Sequence, residues 1–202
     1  MQAQITKAEN SLRRKCPVIR EIIKTHGPCT IAKNKQPHFH GLVSSIISQQ
    51  LSVKAAKAIE NRVKAELGTK KHFSPKHFKT ATQSQLRSCG LSNSKARFIL
   101  AIYDFVESGK LPLRSIAMKD NAEVSDLLQQ VPGIGPWTAD MFMMFSLIRP
   151  DILPLGDLAL RKAIRIAYQL DDDADYAALT AATDHLRPWR TVASWYLWCL
   201  VD

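Results

Sequence analysis

The chain has 202 residues, with 28 lysines and arginines against 18 aspartates and glutamates, a formal net charge of +10. That length suits one domain or two intertwined lobes with a sizeable buried core, and the charge favours a polyanionic partner. Cysteines 16, 29, 89 and 199 lack metal-ligand spacing, no apolar run approaches 18 residues, and neither a GxxxxGK[ST] loop nor a dinucleotide fingerprint occurs, so a cysteine zinc site, a membrane helix, nucleotide hydrolysis and nicotinamide chemistry are unsupported.

Nearly all of the chain reads as helix. Phe39, Leu42, Val43, Ile46 and Ile47 follow one helical face. His38 and His40 flank Phe39; without a third clustered ligand they are expected to be solvent-facing polar residues and not a metal site. Ser52 can cap the next helix, with Val53, Ala56, Ile59, Val63 and Leu67 inward, Lys54, Lys57 and Lys64 outward, and Gly68 at its end. Residues 69–80 read as a basic, proline-broken connector, and its echo of His72-Phe73 in His77-Phe78 is too short for a repeat. Cys89-Gly90 closes a short helix, and Ser92 or Ser94 starts one that runs to Gly109. Asn121 can cap the helix through Val124, Leu127 and Leu128. Trp137–Leu147 and Leu158–Tyr168 form two more, Asp171-Asp172-Asp173 is a solvated turn, and two further helical stretches surround Trp189, Trp195 and Trp198. No alternating strand is expected.

The sharpest motif is Val131-Pro132-Gly133-Ile134-Gly135-Pro136-Trp137-Thr138-Ala139-Asp140, followed by Leu155-Gly156-Asp157-Leu158. The glycines allow a tight turn and Pro136 suits a first helical turn, where its missing N–H costs nothing. Such a turn aims bare N–H groups outward as an anion site. On a basic chain the anion expected is a nucleic-acid phosphate. Asp157 alone would read as an ordinary N-cap.

With two further blocks, Ser45–Ala56 and Cys89–Arg97, the motif resembles the helix-hairpin-helix (HhH-GPD) DNA glycosylase superfamily, of the 3-methyladenine DNA glycosylase II type. The likeness covers roughly residues 38–200. It implies an all-α, two-lobed fold with a cleft between the lobes. Residues 1–202 are then a single glycosylase domain, with the helix-hairpin-helix at about 122–148 and the N- and C-terminal helices completing the second lobe.

The resemblance also implies roles. Asp157 is the catalytic carboxylate. A carboxylate near the sugar stabilises the oxocarbenium-like charge that develops as the base leaves, and can orient the attacking water. Bifunctional relatives carry a lysine that forms a Schiff base with the sugar; the matching residue here is Trp137, so a monofunctional enzyme leaving an abasic site is expected. Trp137, Met141 and Trp198 match the base pocket, where aromatic faces hold electron-poor alkylated purines. Core packing is the competing reading for Trp198, and core is the expectation for Trp189 and Trp195. Met141 stands where some members have an aromatic. Gln50, or alternatively Leu51, is the wedge that fills the gap left by a flipped base. Gly133, Ile134 and Gly135 contact the DNA backbone. The carbonyls of Gln129, Val131 and Ile134 can hold a structural Na+ or K+. No cofactor is required, and no iron–sulfur cluster is expected, because the chain stops three residues after Cys199.

The function implied is hydrolysis of the N-glycosidic bond of alkylated purines, such as 3-methyladenine and 7-methylguanine, in double-stranded DNA during base excision repair. Other damaged purines (hypoxanthine, ethenoadenine) or a non-catalytic lesion-binding role are the alternatives. The expected setting is intracellular, the cytoplasm and nucleoid of a bacterium or the nucleus of a eukaryote. Scattered cysteines and the lack of a charged-then-apolar leader agree with it. A monomer away from membranes is expected.

Overall fold

A computed structural model describes residues 1–33 and 35–201. Eleven α-helices and three short 3-10 turns are found among them, with no strand. The chain divides into two compact units, one from residues 36–142 and one that joins residues 1–35 to 143–202. No helix among the described residues is long and apolar enough to cross a membrane.

The central unit opens with α3 (His38–Ser48); α1 and α2 precede it in the chain and belong to the other unit. All five apolar residues of the predicted α3 face are buried. The next helix, α4 (Val53–Glu66), starts at Ser52, whose hydroxyl accepts the Ala55 N–H. Two expectations for this helix fail. Val53 is 88% exposed, because as the first helical residue it lies beyond the stretch that packs inward. Lys64 is largely covered and pairs with Glu60.

The histidines are also not solvent-facing. His40 is buried, its Nδ1 accepts the Phe73 N–H at 3.2 Å, and its ring lies 4.8 Å from that of His72. His38 sits edge-on to Phe142. No group of three metal-ligating side chains occurs among the described residues. The connector 69–80, read as a basic linker, is fastened into the core. Phe73 and Phe78 are both buried, meet edge to face at 5.7 Å, and Phe78 also meets Phe39. A 3-10 turn, Pro75–Phe78, makes the bend between them.

Next come α5 (Gln83–Ser88) and α6 (Asn93–Glu107), the latter capped by the Ser92 hydroxyl. α7 (Asn121–Gln129) is capped by Asp120 and not by Asn121. Asp120 accepts the Glu123 N–H while Glu123 accepts the Asp120 N–H. This reciprocal pairing satisfies two end donors at once, and only the residue three before Glu123 can form it. The following helix, α8 (Pro136–Phe145), contains the division between the units, after Phe142.

The other unit packs α1 (Gln2–Lys15) and α2 (Pro17–His26) with α9 (Leu158–Tyr168), α10 (Tyr176–Thr183) and α11 (Arg190–Trp198). Leu12, Ile19, Ile23, Leu160, Ile164 and Tyr196 are among its buried core, and half-buried Trp189 and Trp195 pack against that core. The carboxylate of Glu9 on α1, itself only 8% exposed, accepts the Cys29 N–H at 2.7 Å and the Tyr196 hydroxyl of α11 at 2.5 Å. These bonds give a buried charge the partners it needs. Asp151 likewise receives Arg190 and Arg187 at the start of α11. All four cysteines are free thiols.

Candidate functional site

In the central unit, α7 and α8 are joined by a tight turn through residues 130–135. The Ile134 N–H donates to the Val131 carbonyl at 3.1 Å, and the side chains of both residues are buried. Their inward anchoring leaves Pro132 and Gly135 exposed. The two glycines do different work. Gly133 has φ +88°, and a Cβ there would fall 2.3 Å from Cγ of Phe98, so both backbone sterics and packing demand glycine. Gly135 has ordinary φ and open space where a Cβ would be.

Beyond the turn, Trp137, Asp140 and Met141 are all half-buried. Their spacing of three and four places them on one stripe of α8. Sequence pattern alone gives Asp140 no role. Burial pushes its carboxyl up to about 6; its position one turn after Trp137 was the only signal available.

The loop between α3 and α4 holds the wedge candidates. Gln50 is exposed with φ +55°, a left-handed conformation unusual for a residue with a Cβ. Leu51 is 39% exposed, and its N–H donates to the Ser48 carbonyl. Gln49 is half-buried: its amide donates to the Gly133 carbonyl at 3.1 Å and lies 3.5 Å from the Thr138 hydroxyl. Lys95, on α6, reaches the same loop. Its ammonium donates to the carbonyls of Ile47 at 2.8 Å and Gln49 at 2.7 Å.

In the other unit, Asp157 is the N-cap of α9. Its Oδ1 accepts the Leu160 N–H at 2.8 Å and the indole N–H of Trp198 at 3.1 Å. Arg161 donates to the Leu155 carbonyl at 2.6 Å and so braces the approach to the cap. Trp198 is half-buried and stacks on Phe145 with 6.2 Å between ring centroids. Phe145, a residue absent from the sequence reading, is 36% exposed at the end of α8. Asp157, Trp198 and Phe145 therefore form one contact chain, while Trp137 and Met141 share the central unit with Gln50, Leu51 and the turn. The Asp157–Trp198 bond spans 41 residues, and no local pattern announces it.

The chain matches the model of the HhH-GPD superfamily base excision DNA repair proteins over residues 43–188. It is 31% identical to DNA-3-methyladenine glycosylase 1 of Schizosaccharomyces pombe over 198 residues, which cover 96% of this chain and 86% of that protein. Among solved structures, the DNA-3-methyladenine glycosidase of Bacillus halodurans superposes with a TM-score of 0.80 at 34% identity, covering 94% of this chain and 86% of that one. The Schizosaccharomyces pombe 3-methyladenine DNA glycosylase Mag1, solved in complex with abasic DNA, superposes with a TM-score of 0.77 at 29% identity over 95% of both chains.

Proposed function

The chain belongs to the HhH-GPD superfamily of base excision DNA repair proteins, and on that premise we propose that it is a monofunctional DNA glycosylase that removes alkylated purines from duplex DNA. The observation that carries this reading is the carboxylate of Asp157, fixed on one oxygen by a helix N–H and an indole N–H. Rigid placement is what electrostatic stabilisation requires. A charge that must reorient during the reaction loses much of its effect.

The reaction breaks the bond between C1′ and the purine nitrogen. The bonding pair leaves with the base, and C1′ gains positive charge that Asp157 stabilises. Water then attacks C1′, giving an abasic sugar with a new hydroxyl, and its proton passes to the carboxylate or to solvent. A 7-methylguanine or 3-methyladenine base is already cationic and departs neutral, so one carboxylate suffices and no acid need protonate the leaving group. Trp137 stands where a bifunctional relative has lysine. Its indole cannot form a Schiff base, so the abasic strand stays intact.

Gln50 fills the space of the flipped base, with Leu51 beside it. Trp137, Met141 and Trp198 serve the base, and the stacked pair of Phe145 and Trp198 offers electron-rich faces. The Ile134 N–H is spent inside the turn, so the grip on phosphate rests on the N–H groups of Gly133 and Gly135. The carbonyls of Gln129, Val131 and Ile134 are neutral, hard oxygen donors suited to Na+ or K+, and an ion there adds positive charge toward a phosphate. An enzyme of this kind acts inside the cell, where the genome is.

The deciding experiment measures free methylpurine released from a methylated duplex, followed by borohydride trapping. Wild type should release 3-methyladenine and 7-methylguanine and give no trapped adduct. Asp157→Asn should keep duplex affinity and lose on the order of 10²–10³-fold in release rate. Asparagine caps helices as well as aspartate does, so the fold survives. Release by the variant at the wild-type rate would remove Asp157 from the mechanism. A trapped adduct would overturn the monofunctional reading. No release from the methylated duplex, with release from duplexes carrying hypoxanthine or ethenoadenine, would move the substrate to other damaged purines.

A further inference from the structure

Gln50 holds a backbone conformation that its own chemistry disfavours. For an L-residue, φ +55° is costly, and such an outlier persists only where its surroundings over-determine it. Two side chains from outside the loop supply that constraint. The last carbonyls of a helix have no partner within it, and at the end of α3 two of them, from Ile47 and Gln49, are taken by the Lys95 ammonium. Ammonium is a compact donor with three hydrogens, so it can bridge two carbonyls that point at one place. Its positive charge also complements the negative end of the α3 dipole. On the opposite side, the Gln49 amide ties the loop to the Gly133 carbonyl in the hairpin turn. Residue 49 is thus fastened through its backbone to α6 and through its side chain to the hairpin, and the residue after it stays exposed.

We propose that Lys95 and Gln49 are positioning residues that hold Gln50 projected before DNA arrives, making the wedge and the phosphate-gripping hairpin one mechanical piece. The proposal rests on the reading of Gln50 as the wedge. Neither residue touches the base or the sugar. Each lowers the cost of entering the stack, because the loop needs no ordering at the moment of insertion. A hairpin seated on phosphate then fixes where the wedge enters.

The consequence is specific to paired DNA. A wedge matters where a base must be extracted from a pair, and matters little where the lesion faces no partner base. The test is single-turnover release of one 7-methylguanine placed opposite cytosine, compared with the same lesion opposite a tetrahydrofuran abasic analogue. The ratio of the two rates cancels any loss of folded protein, so a merely structural role does not move it. Gln50→Ala should lower the paired-to-unpaired ratio by roughly 10-fold or more. Lys95→Met and Gln49→Ala should lower it in the same direction, and Lys95→Arg, which keeps donors and charge, should recover much of the loss.

If Gln50→Ala lowers the ratio and both Lys95→Met and Gln49→Ala leave it at the wild-type value, the wedge reading stands and the bracing role is overturned. If Gln50→Ala itself leaves the ratio unchanged, the wedge reading and this proposal fall together. Should Lys95→Met not fold, Gln49→Ala and Lys95→Arg still decide the matter, because a ratio unchanged by Gln49→Ala removes the link to the hairpin.

Discussion

His40 is held neutral by its surroundings. Burial, against some opposing pull from Glu60, brings its pKa down to about 4, and its Nδ1 must stay unprotonated to accept the Phe73 N–H. In the unfolded chain the same ring titrates near 6.5. The folded state therefore keeps its full advantage above pH 6.5 and loses it as pH falls toward 4, by up to about 3 kcal/mol. Asp140 works in the opposite sense: burial raises its carboxyl to about 6, so its contribution to stability grows as pH falls through that value. For Glu60, burial opposes ionisation but bonding to Lys64 prevails, and its pKa is lowered; its contribution is present above the ordinary carboxylate value and is lost as pH falls from there through the lowered one. We expect His40→Asn, whose amide oxygen can still accept the Phe73 N–H, to flatten the fall in stability between pH 6.5 and 4. Urea unfolding across that range is the check, and a slope as steep as wild type would clear His40 of the effect.

At the scale of elements, the hairpin depends on one glycine more than the other. Gly133→Ala places a methyl against Phe98 and a Cβ at φ +88°, so it should cost about 2–4 kcal/mol and weaken duplex binding. Gly135→Ala meets neither obstacle and should change stability by less than about 1 kcal/mol. Thermal melts and duplex titration of the two variants together test the assignment. Equal losses would show that the turn's shape is set elsewhere. Much at this scale was legible beforehand. α9 runs from Leu158 to Tyr168 as expected, Ser52 caps where expected, Ser92 is the one of the two serines offered that caps α6, and the α3 face is buried throughout. Periodicity reports which face is apolar, but not where packing stops, which is why Val53 was misplaced. A linker's composition does not reveal that two of its phenylalanines reach a core. The bonds from Lys95 to the carbonyls of Ile47 and Gln49, 48 and 46 positions away in the chain, leave no local trace at all.

Over the whole molecule, the +10 charge acts before any motif does. Lys54, Lys57, Lys70, Lys71, Lys76 and Lys79 of α4 and the connector are all exposed. Contacts of such lysines with phosphates release condensed counterions, so affinity for undamaged duplex should fall by roughly 10²-fold or more between 50 and 200 mM salt. Fluorescence anisotropy with a lesion-free duplex measures this, and a flat response would count against a backbone grip. The identity of the site scales differently. Residue types and order led to Asp157 through the family resemblance, whereas its tie to Trp198 and the stack on Phe145 are products of folding.

The pairing of residues 1–35 with 143–202 in one unit has a consequence for how the protein is made. Residues 36–142 are contiguous and can collapse as soon as they leave the ribosome. Glu9 must wait for Tyr196, a partner 187 positions later, so the N-terminal helices emerge first and are completed last. Asp157 lies in that late-forming unit. A nascent chain can thus own a finished hairpin before the cap of α9, with the carboxylate proposed for catalysis, is set by Trp198.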